Sequence, residues 1–149
     1  MSKRNLIIGV IATFLITFFT LRACEASTIE LGSSIATDWR SPALVYTESL
    51  GKWDLGVALI GPQSWDNVTA PINGTIFAQR IVKKGGFSMG LGGATWIKTS
   101  RLIGCPIGYT LSLAYDLTKR FGLHYRHWSN GGTCAPNRGQ DLLSFGVNF

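Results

Sequence analysis

The chain has 149 residues, 46% of them apolar and only 15% charged, with 18 glycines, a balance that suits one folded domain and excludes a disordered or solvated tail. Its net charge of +6 is spread thinly, with no dense Lys/Arg cluster interleaved with aromatics, so the sequence gives no support to nucleic acid as a partner. A modest positive excess suits an anionic surface such as phosphorylated lipid.

Lys3 and Arg4 precede an apolar run from Leu6 to Leu21, and Cys24, Glu25 and Ala26 offer small residues at the minus-three and minus-one positions of a cleavage after Ala26. That is the layout of a secretory signal peptide, so residues 1–26 are expected to be removed and 27–149 to form the mature domain. Two other readings exist: an uncleaved anchor, since the run is near the lower length limit for a spanning helix, and lipidation at Cys24, which Arg22 disfavours. Cleavage leaves eleven Lys/Arg against seven Asp/Glu, and two cysteines, Cys105 and Cys134. In an exported chain these read as one disulfide or as two buried thiols.

Beyond the leader the pattern is apolar alternation broken by turn residues, with no long helical period. Strands are expected at about Thr28–Thr37, Pro42–Leu50, Lys52–Gly61, Gly74–Val82, Phe87–Ile97, Ile107–Leu117, Arg120–Ser129 and Gln140–Phe149. Segments of this length and number match the smallest bacterial outer-membrane barrels. The connections alternate as such a barrel requires: tight around Gly51, Lys84-Gly85 and Thr118-Lys119, longer through Pro62–Asn73, Lys98–Pro106 and Asn130–Gly139. The short first outer connection, Asp38–Ser41, is the exception. In the last strand Leu143, Phe145, Val147 and Phe149 share one face, while Ser144, Gly146 and Asn148 share the other. The expected fold is therefore all-β, an eight-stranded antiparallel transmembrane β-barrel with an apolar outside. A soluble exported barrel of the same strand count is the alternative. In the barrel, Cys105 and Cys134 both fall in outer loops, where a disulfide would tie the third long connection to the fourth.

The penultimate strand carries the chemistry. Phe121, Leu123, Tyr125, His127 and Ser129 alternate onto the apolar, outward face, while Gly122, His124, Arg126 and Trp128 alternate inward, which makes His124 lumenal or structural. If the last two strands pair with His127 opposite Asp141, then Tyr125 faces Leu143, Leu123 faces Phe145 and Phe121 faces Val147, and all three polar residues share one side. Ser129 can then act as nucleophile, His127 as its base and the acid for the leaving alkoxide, and Asp141 as the group orienting the imidazole. Asn130 and the amides of Gly131 and Gly132 are candidate oxyanion donors. A His and a Ser near a strand end are also common as plain loop-end residues, and Asn137-Arg138-Gly139 reads most simply as a turn. Arg40, Lys98, Arg101 and Arg138 are outer cations able to meet phosphates or to remain solvated loop charges. No His/Cys ligand spacing calls for a metal, and no cofactor is expected.

His127-Trp128-Ser129-Asn130-Gly131-Gly132, followed by Pro136-Asn137-Arg138-Gly139-Gln140-Asp141 and a final strand, resembles the PagL-type lipid A 3-O-deacylases. The motif-level likeness covers about the last thirty residues. It implies an outer-membrane serine esterase acting on the 3-O-linked acyl chain of lipid A, or lipopolysaccharide, in the outer leaflet. It also implies His127 and Ser129 as catalytic residues and Asn130 in the oxyanion hole. The family has Glu where this chain has Asp141, one methylene shorter. That departure keeps open a non-catalytic small membrane barrel with a degenerate motif. The oligomeric state, a homodimer included, is left open.

Overall fold

The computed structural model describes residues 26–35, 41–65, 68–99 and 103–149. The leader with Cys24 lies outside these residues, as do most of the first outer connection with Arg40 and the segment with Arg101.

Ten strands follow in order: β1 (Ala26–Ser34), β2 (Pro42–Leu50), β3 (Trp53–Ile60), β4 (Gln63–Trp65), β5 (Val68–Ala70), β6 (Asn73–Lys84), β7 (Phe87–Trp96), β8 (Ile107–Asp116), β9 (Phe121–Ser129) and β10 (Gln140–Asn148). Eight of them close an antiparallel barrel in the order β1-β10-β9-β8-β7-β6-β3-β2. The fold expected from the sequence is thus the observed one. Closure pairs every wall strand on both sides, which leaves no open edge for hydrocarbon to meet. β4 and β5 form a separate two-stranded hairpin inside the long outer connection between β3 and β6, where only a loop was expected. Tight turns fall at Gly51 and Gly85, whose φ angles of 62° and 61° are left-handed.

Period-two alternation sorts the wall into a dry outside and a polar inside. Along β10, Leu143, Phe145 and Val147 are exposed on the exterior while Ser144 is buried within. The exterior is apolar around the circumference, through Leu31, Leu59, Met89, Leu91 and Leu113 among others, as a lipid-facing wall requires. Ring pairs reinforce it: Phe121 and Phe145 stack with centroids 5.6 Å apart, and Phe87 and Tyr115 meet at a tilt with centroids 4.7 Å apart.

The lumen is filled rather than open. Glu30, fully buried, accepts hydrogen bonds from Arg126 Nε at 3.1 Å and from Arg126 Nη2, and from Ser144 Oγ at 2.8 Å. His124 Nδ1 lies 3.4 Å from the same carboxylate, so the inward placement expected for His124 is the observed one. The Arg126 guanidinium stands 4.8 Å over the Phe77 ring, which leans on Trp128 at 6.1 Å. Further toward the outer end, Trp96 Nε1 donates to Gln140 Oε1 at 3.2 Å, Gln140 Nε2 to Gln63 Oε1 at 2.8 Å, and Gln63 Nε2 to Ser34 Oγ at 2.9 Å. The glycine-rich β7 makes room for this filling. A Cβ on Gly92 would sit 1.9 Å from the Ala78 carbonyl oxygen, so the strand needs glycine there for close backbone approach.

Candidate active site

Trp128 sets the orientation of the outer end of β9. Its side chain has no exposed surface in the lumen. Its neighbours in the chain, His127 and Ser129, must therefore project outward. β9 pairs with β10 so that His127 stands opposite Asp141, Tyr125 opposite Leu143, Leu123 opposite Phe145 and Phe121 opposite Val147. This is the register that follows from the sequence on the condition that His127 stands opposite Asp141.

Directly opposed residues share a side, and here they touch: His127 Nδ1 lies 2.8 Å from Asp141 Oδ1. Asp141, though shorter than glutamate, reaches the ring. The same oxygen accepts a second hydrogen bond, from the Tyr125 hydroxyl at 2.5 Å. With Nδ1–H given to the carboxylate, Nε2 carries the lone pair, and the Tyr109 hydroxyl meets it at 3.2 Å. Tyr109 is the register partner of Ser129 on β8. His127 and Asp141 keep about a quarter of their side-chain surface open, 24% and 25%.

Ser129 differs from expectation in one respect. It is on the outward side, yet only 5% exposed, because the β9–β10 loop folds over it. Its Oγ donates to Asn137 Oδ1 at 3.0 Å and accepts from the Gly131 amide at 3.2 Å. Among the described residues no hydrogen bond joins Ser129 to His127; each is engaged by a different neighbour.

Asn130 is also committed to the loop. Its side-chain NH2 donates to the Cys134 carbonyl at 2.9 Å, and its Oδ1 accepts from the Gly132 amide at 2.9 Å. Asn130 and Gly132 therefore satisfy each other in this arrangement, while Gly131 points its amide at the serine. The unforeseen residue is Asn137, whose Oδ1 gathers both Ser129 Oγ and, at 3.3 Å, the Asn130 amide. Asn137 is held there from across the barrel mouth. It forms a β-bridge with Ile103 in the β7–β8 loop, and Gly104 N donates to the Pro136 carbonyl at 2.7 Å. Cys105 and Cys134, paired as a disulfide with Cα atoms 5.6 Å apart, tie the same two loops.

Of the four cations, Lys98 and Arg138 are described. Lys98 sits just beyond β7, its main-chain carbonyl and amide both engaged by the Asn73 side chain, at 2.9 and 3.3 Å. Arg138 is exposed on the site loop between Asn137 and Gly139. No group of three or more metal-ligating side chains occurs among the described residues. Beginning at Ile107 on β8, the strand next to that of Ser129, an apolar groove of about 820 Å3 runs along the outer wall, lined also by Thr95, Gly93, Ile76, Val57 and Tyr46 among others. Gly93, at its edge, is the register partner of Tyr109.

Tyr109, Tyr125, Asn137 and Gly139 are neighbours to which the sequence reading gave no role in the site. Tyr125 had a signal, being two residues from His127 on the same face. Asn137 stood in the sequence as a turn residue and as part of the family-like stretch, but its contact with the serine comes from loop closure at the barrel mouth, which neither reading shows.

Comparison with known proteins gives the family and the fold. A family model described as lipid A 3-O-deacylase (PagL) matches residues 29–149. The solved structures include one described as the crystal structure of the outer membrane enzyme PagL, similar with a TM-score of 0.61 at 12% identity, over 83% of this chain and 98% of that one. At that identity the likeness speaks for the fold alone. No curated protein matches the sequence. The family model spans the whole barrel from β1 to the C-terminus, and on that match the chain belongs to the PagL lipid A 3-O-deacylase family.

Proposed function

We propose that the chain is an outer-membrane serine esterase that hydrolyses the 3-O-linked acyl ester of lipid A through an acyl-serine intermediate. The observation that carries this reading is the 2.8 Å contact between His127 Nδ1 and Asp141, with Ser129 two residues along on the same outward face. A nucleophile on the outer wall near the barrel mouth can be reached by an ester held in the outer leaflet, whereas a lumenal one cannot. Family membership supports the substrate class.

In this mechanism His127 Nε2 takes the Ser129 proton as Oγ attacks the ester carbonyl carbon, with Asp141 stabilising the imidazolium. Gly131 N–H, at hydrogen-bond distance from Ser129 Oγ, is the donor beside the developing oxyanion, whereas Asn137 presents Oδ1, an acceptor, to the serine and gives the oxyanion no donor in this arrangement. The carbonyl–oxygen bond to the sugar then breaks, and the imidazolium protonates the departing alkoxide. Water, deprotonated by His127, hydrolyses the acyl-serine and releases the fatty acid. To begin, Ser129 must exchange Asn137 for His127, and Nε2 must be released by Tyr109. Lys98 and Arg138, with Arg40 of the first outer connection and Arg101 of the connection that carries Lys98, meet the phosphates of the substrate, and the apolar groove accommodates hydrocarbon. The leader 1–26 is cleaved on export, leaving 27–149 in the outer membrane; no cofactor takes part.

The competing reading, a non-catalytic barrel, draws on the separate engagement of Ser129 and His127. Mass spectrometry of lipid A decides. Cells expressing the chain should lose one hydroxyacyl mass, and cells expressing Ser129→Ala should not. Equal deacylation by the variant rules out the serine mechanism.

A further inference from the structure

We propose that Tyr125 is a positioning residue of this site: its hydroxyl holds the Asp141 carboxylate in the orientation from which that carboxylate accepts the His127 Nδ1–H. The inference rests on the His127–Asp141 reading above and deepens it.

Asp141 Oδ1 is a shared acceptor, meeting Tyr125 Oη at 2.5 Å and His127 Nδ1 at 2.8 Å. Tyr125 and His127 are two positions apart on one face of β9, and Asp141 lies opposite His127, so the tyrosine approaches the carboxylate diagonally from the neighbouring register position. Diagonal neighbours across an antiparallel pair are separated by about 7–8 Å at Cα, a span that only a long side chain closes. Tyr125 is itself fixed in the wall between Leu143 on β10 and Leu113 on β8.

The second donor matters because of where the carboxylate sits. Asp141 is three-quarters covered, on an apolar wall, and the described hydrogen bonds to its side chain are these two. With the imidazole as sole donor, rotation about the Cβ–Cγ bond would be opposed by one contact alone, and that contact must itself survive the ring's change of charge. A hydroxyl on the other side fixes the rotation and keeps Oδ1 aimed at the ring. Tyr125 acts through Asp141 and has no described hydrogen bond to Ser129 or Nε2, so it is not placed among the groups that touch substrate.

The test is steady-state deacylation of purified lipid A by the full-length barrel in detergent, in four forms: parent, Tyr125→Phe, Asp141→Glu and the double variant. The phenylalanine keeps the ring in the wall, and the heat-dependent gel mobility typical of a folded barrel checks integrity. In the aspartate background Tyr125→Phe is expected to lower kcat about tenfold with KM changed by less than about twofold, the pattern of a lost transition-state interaction. Glutamate moves the acceptor one methylene away from the tyrosine, so in Asp141→Glu the same substitution is expected to change kcat by less than about twofold, a coupling that a merely structural tyrosine would not give. Parent-like kcat in Tyr125→Phe, equal losses in both backgrounds, or an Asp141→Glu enzyme without turnover overturns the assignment. A Ser129→Ala control separates the two levels: if it still deacylates, the serine reading fails, whereas an inactive control beside a parent-like Tyr125→Phe removes Tyr125 alone.

Discussion

The Tyr109 hydroxyl lies 3.2 Å from His127 Nε2, the nitrogen that takes the proton of Ser129 in the proposed mechanism, and Tyr109 is also the register partner of that serine. In this arrangement the phenol competes with the nucleophile for the base. A neutral hydrogen bond of this kind contributes about 1 kcal/mol, which corresponds to about a fivefold change in rate. Tyr109→Phe is therefore expected to speed covalent modification of Ser129 by a fluorophosphonate about two- to fivefold, read as the second-order inactivation constant. A large fall instead of a rise would mean that the hydroxyl assists the chemistry.

The barrel wall was legible because alternation in β9 and β10 is strong enough to fix the face, and the pairing of His127 with Asp141 is one of the registers those faces allow. Leu143, Phe145 and Val147 can lie outward only if Asp141 does too, and Trp128 can lie inward only if His127 and Ser129 do not. The hairpin of β4 and β5 escaped because Gln63–Trp65 and Val68–Ala70 are three-residue strands, too short to show a period. The cover over Ser129 escaped for a different reason. Asn137 reaches the serine because its loop is fastened to Ile103 and Gly104, more than thirty residues earlier, and no local pattern encodes that contact.

The lumenal ion pair gives a stability prediction. Arg126 supplies Glu30 with hydrogen bonds from Nε and Nη2, and Nη2 also reaches Thr47 Oγ1 at 3.2 Å. Arg126→Ala would leave a buried carboxylate without its main partner, which typically costs about 3–5 kcal/mol. Urea unfolding in detergent should show a loss of that order, with much of it recovered by adding Glu30→Gln. Independent, additive losses from the two substitutions would mean that the charges are not coupled.

The two outer loops that assemble around Ser129 are joined at Cys105 and Cys134, 29 residues apart in sequence. On the chain-entropy model a bridge closing a loop of that size contributes about 3–4 kcal/mol. The double variant Cys105→Ser/Cys134→Ser should therefore fold into the barrel but unfold at lower urea. Its kcat should also fall, because Asn137 is then held by the Ile103 bridge and the Gly104 hydrogen bond without the covalent tie. The parent, denatured without reductant, should take up no maleimide on Cys105 or Cys134; labelling of either would show free thiols.

Gly139 connects backbone conformation to the base. Its φ of +69° lies in the left-handed region, and a Cβ built on it would stand 2.9 Å from His127 Cε1 and 3.4 Å from the Trp128 carbonyl oxygen. Alanine would add about 1–2 kcal/mol of left-handed backbone strain. The contact with the ring is the more consequential effect. Trp128 is locked in the lumen, so the crowding is relieved by moving the imidazole or the loop, and either shift separates His127 from Asp141 or from Ser129. A misplacement of about 1 Å can lower turnover by about a hundredfold. Gly139→Ala is thus expected to retain the heat-dependent gel mobility of a folded barrel while losing at least about tenfold in kcat/KM. Parent-like turnover would show that the ring has room to give way and that glycine is required there for the turn alone.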